Sequence, residues 1–389
     1  MITIKEKSDC CGCTACATSC PTKCISMQID SEGFVYPTVD TSRCVNCNRC
    51  VNICPIISLR KKTQHSRSFD TSLALAAKTL DKDTLLKSSS GGIFSEIALH
   101  YLRQGWIVVG AAFVDGTVKH ICISDIKDLA QLRGSKYVQS DLSDVFNHIL
   151  ALLKSGQRIL FSGTPCQVAG LKSLTKRYFD SLVTIEVACH GVPSPKALTA
   201  YLDELELFYS VRPESLVFRA KPTGWDDYHI EGMHADSVLF SEHHKANVFM
   251  RGFLHELYSR PACHCCDFKA NNSAADFTLA DFWGVQNISS VKSDFSNGIS
   301  LVIANSEASK SLIPELNIEY TQVEISSALR ENGSLLHSEK PHPLRKSFFK
   351  AISKGKSFSV AVEQSLQLPL WLKAKLIAKS YCRKFGIIK

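Results

Sequence analysis

The sequence lacks the features that would place the chain in or across a membrane. Its longest uninterrupted apolar run, residues 106–114, is far shorter than the ~20 residues that a transmembrane helix needs. The first residues, MITIKEK, contain no apolar segment of the kind found in secretory signal peptides. We therefore expect a cytoplasmic protein without a transmembrane segment.

The sequence also lacks the common nucleotide- and nucleic-acid-binding motifs. It contains neither a G-x-G-x-x-G fingerprint nor a Walker A loop, and no RNA- or DNA-binding motif accompanies its formal net charge of +8. A charge of this size is compatible with an acidic partner or an anionic cofactor and does not by itself indicate nucleic acid. We therefore expect no nucleic-acid partner, and the sequence does not specify an oligomeric state.

Cysteine, by contrast, is abundant. The chain has 17 cysteines, and the cytoplasm keeps thiols reduced, so a disulfide framework is disfavoured and metal ligation is favoured. A C-x2-C-x2-C-x3-C-P run occurs twice as an internal repeat, and its spacing is that of bacterial ferredoxins with two [4Fe–4S] clusters. The two runs are Cys10, Cys13, Cys16, Cys20 and Cys44, Cys47, Cys50, Cys54.

The spacing also predicts how the eight thiolates divide between two clusters. In two-cluster ferredoxins the fourth cysteine of each run serves the other cluster, so Cys54 is assigned to the first and Cys20 to the second. Cys11 and Cys24 fall outside the pattern and are predicted to be packing or neighbouring thiols. Structural zinc is the alternative, but zinc takes four ligands, usually as two separated pairs, and does not need a doubled run.

The pattern of apolar residues predicts two domains. We expect a small α+β, ferredoxin-like two-cluster domain over residues 1–58 and a polar, basic linker over 59–72. Strand and helix patterns alternate from residue 73 to about 345, which predicts an α/β domain with a largely parallel or mixed sheet. Residues 346–389 are predicted to form a basic, helical C-terminal region.

Two turns in the second domain are candidate phosphate-binding sites. Residues 88–92, SSSGG, precede a predicted helix, and residues 162–167, SGTPCQ, join a predicted strand to a helix. Helix N-termini and strand ends of this kind favour anions and ligands. The alternative is that both turns are ordinary helix caps.

A further set of cysteines lies in the second domain. Cys166 and Cys189 each follow a predicted strand, and Cys263, Cys265 and Cys266 lie close together in RPACHCCDFK. Since parallel strand ends meet at one sheet edge, four of these thiolates are candidates for a third cluster. The alternatives are a zinc site that includes His264, and ordinary buried cysteines.

Several short motifs, in this order, resemble the coenzyme F420 hydrogenase/dehydrogenase beta-subunit family. They extend the resemblance over residues 1 to about 305, and many members of that family carry a two-cluster ferredoxin domain before the series. The motifs are SSSGGIFSEIALHYL, GSKYVQS, FSGTPCQVAGL, CHGVPSP, FRAKPTGW, CHCCDFK and DFWG.

The resemblance implies an iron–sulfur oxidoreductase (EC 1) that contains FAD, with candidate FAD contacts at Ser89, Ser90, Gly91, Gly92, Ser135, Lys136, Gly163, Thr164 and Gln167. It also implies a third [4Fe–4S] cluster beside the flavin, with candidate ligands Cys166, Cys189, Cys263 and Cys266. Cys265 departs from this pattern and makes the choice within CHCC ambiguous. Family substrates include coenzyme F420 and a hydroxymethyl chlorophyll, and membership does not imply F420 itself.

The residues and the resemblance together predict a route of electron transfer, while the sequence does not specify the direction of electron flow. We expect a ferredoxin or similar donor to reduce the clusters, which pass electrons to FAD and then to a small-molecule substrate; the sequence identifies no catalytic residue. The alternative is a non-catalytic electron-transfer subunit that serves a separate catalytic partner. Residues 371–389 contain six lysines and arginines and no acid, which suggests either peripheral contact with an anionic membrane or a helix packed on its own domain.

Overall fold

The computed structural model describes residues 1–61, 69, 71–292 and 294–367. The predicted linker lies largely outside these residues, and the basic segment 371–389 lies outside them entirely. In the described part of the chain, no helix has the length and apolar character needed to cross a membrane.

The N-terminal unit is a hairpin with three short helices. Strands β1 (Ile25–Ile29) and β2 (Val35–Val39) pair in antiparallel fashion. Each cysteine run turns through a pair of left-handed residues before its helix: Gly12 and Thr14 in the first, Asn46 and Asn48 in the second. The two loops therefore fold alike, which places equivalent thiols in equivalent positions. The helices are α1 (Ala15–Thr18), α2 (Arg49–Ile53) and α3 (Pro55–Arg60).

The second domain is built on an eight-stranded mixed sheet. Its strand order is β13-β3-β12-β11-β7-β6-β4-β5. Only the central run from β11 through β7 and β6 to β4 is parallel, and the remaining neighbours pair in antiparallel fashion. The strands are β3 (Leu73–Thr79), β4 (Ile107–Val114), β5 (Thr117–Ile123), β6 (Ile159–Gly163), β7 (Leu182–Val187), β11 (Phe277–Asp281), β12 (Ser300–Ala304) and β13 (Ile318–Val323).

Helices cover both faces of this sheet. The apolar side of α5, including Ile93, Ile97 and Leu102, packs on one face, and Phe146 and Ile149 of α7 belong to a second core. These contacts follow from apolar residues recurring at helical spacing. The helices of the sheet region are α4 (Lys82–Lys87), α5 (Ile93–Arg103), α6 (Leu129–Leu132), α7 (Val145–Lys154), α8 (Pro165–Leu174), α11 (Glu307–Leu312) and α12 (Ile325–Arg330).

A three-stranded antiparallel sheet forms a separate layer. It consists of β8 (Ser215–Ala220), β9 (His229–His234) and β10 (Ser237–His243), and it shares an aromatic core with four helices. These are α9 (Pro195–Tyr209), α10 (Val248–Leu254), α13 (Arg345–Ser353) and α14 (Phe358–Leu366). The described part of the predicted C-terminal region is therefore packed on the second domain.

The N-terminal unit is docked on the second domain. Its helices α1, α2 and α3 contact α8, and the turn at residues 7–9 contacts the turn at 261–265. The Glu32 carboxylate receives two hydrogen bonds from the Arg345 guanidinium, at 2.9 and 2.8 Å. The first cysteine run is thereby held against the sheet edge that carries Cys166 and Cys189.

Candidate functional site

An outer cavity lies at the exposed end of the N-terminal unit. It has about 320 Å³ of empty space, and the side chains around it include Cys24, Val45 and Arg49. Cys47 is exposed and Cys44 is half-buried, so this cavity is open to solvent. The cysteines of the paired runs that line it are Cys20, Cys44, Cys47 and Cys50.

An inner cavity lies on the side that faces the second domain. It has about 340 Å³ of empty space, and Cys13 and Cys16 on its wall are buried. The paired-run cysteines around it are Cys10, Cys13, Cys16 and Cys54, with Cys11 beside them. The structure therefore groups the eight thiols as the ferredoxin spacing predicts, with Cys54 and Cys20 exchanged between the runs.

Each cavity is lined by four paired-run thiols. Zinc–sulfur bonds of ~2.3 Å bring tetrahedral thiolates to within about 4 Å of one another. In the described part of the chain, no three histidine, cysteine or acidic side chains converge closely enough to hold one metal ion. A cube accepts one thiolate on each of four irons and so suits ligands spread around a cavity.

Two glycines allow the inner loop to approach the second domain closely. A Cβ on Gly12, whose φ is +73°, would lie 2.8 Å from Nη1 of Arg260. A Cβ on Gly170, in α8, would lie 2.9 Å from Cβ and 3.0 Å from Sγ of Cys13. Both positions need glycine because real Cβ atoms do not approach neighbours this closely.

The third set of thiols converges at the sheet edge. Cys166 follows β6 in the first turn of α8, and Cys189 follows β7, the parallel neighbour of β6. Cys263 and Cys266 reach the same place from the turn at 261–265, and electrostatic coupling links each member of this set to others of the set. The structure thus brings together the four residues that the family resemblance implies.

Burial dominates the ionisation of these thiols. Desolvation raises the pKa of Cys189 and of Cys266 to about 12, and it raises the pKa of Cys10 despite the opposing charge of Arg260. The metal-free thiols of Cys10, Cys189 and Cys266 are therefore protonated at neutral pH. Metal ligation must displace those protons, because the thiolate is the ligand.

The structure separates Cys265 and Cys11 from the roles that their positions in the sequence suggest. Cys265 is exposed and lies beside Ser8, away from its neighbours in the turn. Cys11 is buried, and its thiol interacts with both Cys13 of the inner cavity and Cys166 of the third set. Cys11 therefore lies where the two sets of thiols meet, which the cysteine spacing alone did not reveal.

The Nδ1 atom of His264 is engaged with groups outside the third set of thiols. Its Nδ1 lies 3.0 Å from the carbonyl of Glu339 and 3.7 Å from the buried carboxylate of Glu256. Nε2 of His190 lies 2.6 Å from the same carboxylate. These two histidines, which follow Cys189 and Cys263 in the sequence, thus share an acid, and this geometry does not favour the zinc alternative for His264.

The first two candidate FAD segments, residues 88–92 and 134–136, are hydrogen-bonded to each other. The backbone N–H of Ser135 donates to Oγ of Ser89 at 2.8 Å, which joins residues 134–136 to the turn at 88–92. Ser90 and Gly91 are hydrogen-bonded to residues at the start of β12. Ser90 Oγ donates to the Ile299 carbonyl, and the Gly91 N–H donates to Ser300 Oγ. Among the described residues, the buried Ser88 hydroxyl has no hydrogen-bond partner. An unused donor in a serine–glycine turn at the N-terminus of α5 fits an anionic group.

Lys136 is half-buried and turned toward its own loop. Its Nζ donates to the carbonyls of Gln131 at 3.1 Å and Arg133 at 2.8 Å. Desolvation lowers its pKa to about 7. A neighbouring anion would restore the charged form, so this lysine suits a site where negative charge develops.

The remaining FAD candidates, Gly163, Thr164 and Gln167, form the start of α8. The Gln167 side chain accepts from the Thr164 N–H at 2.9 Å in a capping box and donates to Ser140 Oγ at 2.9 Å. The helix-cap alternative therefore accounts for the bonds of Gln167. Residues 134–140 are hydrogen-bonded both to this turn, through Ser140, and to the turn at 88–92, through Ser135.

A group of cationic and aromatic side chains lies next to the serine–glycine turn at residues 88–92. Lys221 Nζ donates to the carbonyl of Ser90 at 2.8 Å, and Arg219 pairs with Asp281 at 3.0 Å. Trp225 and Trp283 stack with their ring centroids 4.9 Å apart. The sequence motifs FRAKPTGW and DFWG contained this group, but their spacing does not show that they meet.

Three family models match the chain. The model described as "Coenzyme F420 hydrogenase/dehydrogenase, beta subunit N-term" matches residues 74–147, and the model for the C terminus of that same subunit matches residues 156–328. A "4Fe-4S dicluster domain" model matches residues 9–56. The two beta-subunit models together account for more than half of the chain, and the dicluster model covers both cysteine runs.

Curated relatives are similar to short parts of the chain. NADH-quinone oxidoreductase subunit I 2 of Geobacter metallireducens is 37% identical over 60 residues, which is 14% of this chain and 46% of the relative. NADH-quinone oxidoreductase subunit I of Pelobacter propionicus is 36% identical over 74 residues, which is 16% of this chain and 40% of the relative. The chain spans less than half the length of these relatives.

A solved structure is also similar. A chain of the F420-reducing [NiFe] hydrogenase complex from Methanosarcina barkeri aligns with a TM-score of 0.44 and 18% identity, over 73% of this chain and 94% of that chain.

Proposed function

Because the chain belongs to the coenzyme F420 hydrogenase/dehydrogenase beta-subunit family and carries a 4Fe-4S dicluster domain, we propose that it is an iron–sulfur flavoprotein oxidoreductase acting on a small organic substrate. In this proposal electrons enter from a ferredoxin-like donor. The observation that carries it is the unbroken series of thiols from the outer cavity, through the inner cavity and Cys11, to Cys166 at the sheet edge.

Each set of thiols has a distinct part in this proposal. The outer cavity is open to solvent and so suits contact with a donor protein. Cys13 and Cys16 of the inner cavity are buried and the four thiols of the third set are half-buried, so these thiols are less exposed than Cys47 of the outer cavity. When bound, [4Fe–4S] clusters carry single electrons, and FAD converts them into two-electron chemistry on a substrate.

The segment from residue 134 to residue 140 is proposed to hold FAD together with the turn at 88–92. The unpartnered hydroxyl of Ser88 and the ammonium of Lys136 are the groups that support an anionic ligand there. Thr164 and Gln167 then serve mainly to begin α8 and place Cys166. Lys221 contacts the turn, and the partly exposed Trp283, stacked on Trp225, offers an aromatic surface that suits a planar substrate.

The proposal is tested by anaerobic purification with iron, sulfide and FAD quantified on the same sample. Three cubes correspond to about twelve irons per chain and two cubes to about eight. We expect about twelve in the wild type and about eight in Cys266→Ser, because Cys266 belongs to the converging set. Cys265→Ser is the matched control and should retain the wild-type iron content.

Two results would contradict the proposal. Wild-type protein that lacks stoichiometric FAD would contradict the flavin part of the proposal. Equal iron loss in Cys265→Ser and Cys266→Ser would contradict the third cluster. The second candidate function is an electron-transfer subunit with a separate catalytic partner, which the beta-subunit family description favours. Flavin oxidation by a substrate added to the isolated chain separates the enzyme from the subunit.

A further inference from the structure

Arg260 is a fully buried guanidinium at the junction of the two domains. It is 1% exposed. Nε donates to the carbonyl of Cys10 at 2.8 Å, Nη1 to Oε1 of Gln139 at 2.8 Å, and Nη2 to the carbonyl of Val35 at 2.9 Å. The guanidinium also lies over the ring of Tyr36, 4.5 Å from its centroid. All of these partners are neutral.

No carboxylate of the described residues forms an ion pair with Arg260. The two acids of the adjacent hairpin have cations of their own: Asp30 pairs with Lys7 at 2.5 Å, and Glu32 pairs with Arg345 at 2.8 Å. A buried cation without an anion is strongly disfavoured, because the protein interior does not replace the lost hydration. The position of Arg260 therefore requires a negative charge that the side chains do not provide.

The first cysteine run, which lines the inner cavity, lies next to the Arg260 guanidinium. Arg260 donates a hydrogen bond to the carbonyl of Cys10. Gly12 leaves room for the guanidinium, because a Cβ at this position would lie 2.8 Å from Nη1. The carbonyl of Arg260 accepts the Cys263 N–H at 2.9 Å, so the same residue begins the turn of the third set. A cube with four thiolate ligands is anionic, and it gains a further negative charge on reduction.

We propose that Arg260 is the buried counter-charge of the inner cluster and raises its reduction potential. Resting on the function proposed above, this assigns a role to a residue that ligates no iron. A fixed cation stabilises the reduced cluster more than the oxidised one, because the reduced form carries more negative charge. Among the described residues, the wall of the outer cavity holds no such buried cation, and its Cys47 is exposed to solvent, where water screens charge. Arg260 thus favours movement of electrons from the outer cluster to the inner one.

The test uses three variants of the full chain, each titrated anaerobically while cluster reduction is followed by EPR. Arg260→Gln removes the charge, and Gln139→Glu leaves Arg260 in place but gives it a carboxylate partner of the same shape as the amide. Both should lower the inner-cluster potential by about a tenfold change in the reduced-to-oxidised ratio, or about 59 mV for one electron. Arg260→Lys keeps the charge and should stay near the wild-type potential.

Two controls separate electrostatics from folding. The outer cluster of each variant is an internal control, and its potential should not move. The double variant Glu32→Gln with Arg345→Gln removes another buried guanidinium together with its paired carboxylate, and should leave the inner potential unchanged. If Arg260→Gln does not assemble its clusters, Gln139→Glu decides the matter.

Fully loaded Arg260→Gln or Gln139→Glu protein with the wild-type potential would overturn the inference and leave the proposed function intact. A potential that falls equally in Arg260→Lys would also overturn it, because the charge would then not be the cause. Wild-type protein without clusters would overturn both the proposed function and this inference. The iron content of the wild type therefore distinguishes the two failures.

Discussion

At the scale of single residues, His120 shows how the core constrains a titratable group. The ring lies on β5, stacks on Phe161 with centroids 5.3 Å apart, and is 4% exposed. Its Nε2 lies 3.0 Å from the Ser162 carbonyl, so Nε2 carries the proton and donates it. Desolvation lowers the pKa of His120 to about 4. The folded chain therefore holds this histidine neutral.

Acid should destabilise the chain through this residue. The pKa of His120 in the folded chain lies below its unfolded value of 6.5. As the pH falls below 6.5, the unfolded chain binds more protons than the folded chain, and the free energy of unfolding decreases. The full contribution of His120 to stability is therefore present above pH 6.5. Between pH 7 and pH 5 we expect a loss of about 2 kcal/mol. His120→Phe should lose correspondingly less over that interval, measured by anaerobic urea unfolding at both pH values. His148→Gln, at an exposed histidine of α7, should match the wild type; an unchanged slope in His120→Phe would contradict the argument.

At the scale of elements, α8 joins the sheet to the inner cysteine loop. Its start could be predicted from sequence, because Thr164, Pro165 and Gln167 form the signature of a capped helix. Its role could not, because Gly170 meets Cys13 only in the folded chain. This contact sets how closely the loop approaches the third set of thiols.

Gly170→Ala should therefore loosen the loop. The new methyl group would fall 2.9 Å from the Cys13 Cβ, and overpacking of this kind costs about 1–3 kcal/mol. We expect a lower unfolding midpoint and a smaller iron content after dialysis against a chelator. Gly333→Ala, where an added Cβ has no neighbour within 4 Å, is the matched control. Equal iron retention by both variants would show that the loop tolerates the methyl group.

Local patterns predicted most elements but not all of their pairings. Apolar spacing predicted β4, β5, β6, β7, α7 and α8, because period 2 and period 3.6 are properties of a short segment; the four-residue α6 was not predicted. The antiparallel β4–β5 pair had a signal in Asp115–Gly116, both with positive φ, which is the usual two-residue hairpin turn. The antiparallel half of the sheet around β3 and β12 had no such signal, since those strands meet across more than 200 residues.

The candidate site likewise contains some features that could be predicted from the sequence and others that could not. The cysteine runs encode their own grouping, and the convergence of Cys166 and Cys189 follows from neighbouring parallel strands. Arg260, Cys11 and Glu256 could not be assigned from sequence, because each acts through residues far away in the chain. The exposure of Cys265 depends on the path of a single turn.

At the scale of the whole molecule, one ion pair connects the N-terminal hairpin to the last part of the described chain. Glu32 and Arg345 are 313 positions apart, and their side chains are 13% and 10% exposed. The Arg345 Nε also donates to the Ser259 carbonyl, and the Glu32 carbonyl accepts from Ser194. Four segments that are distant in sequence therefore meet at this pair.

Removing one partner should be more harmful than removing both. Arg345→Met leaves the Glu32 carboxylate buried without a cation, which should cost about 3–5 kcal/mol of unfolding free energy. The double variant Glu32→Gln with Arg345→Met should recover a large part of that loss. Denaturant unfolding of the two single variants and the double variant gives the coupling energy. Additive losses would mean that the two side chains stabilise the chain independently.

The fit between the inner loop and the second domain limits how such proteins can be recombined. Gly12 leaves room for Arg260, Gly170 leaves room for Cys13, and Gln139 donates to the Cys11 carbonyl at 3.1 Å. A ferredoxin unit taken from another protein would bring the ligands but not these matching surfaces. The N-terminal unit is therefore not an interchangeable module, and transplanting it into another scaffold requires transferring its contact residues on α8, on residues 134–140 and at Arg260 as one set.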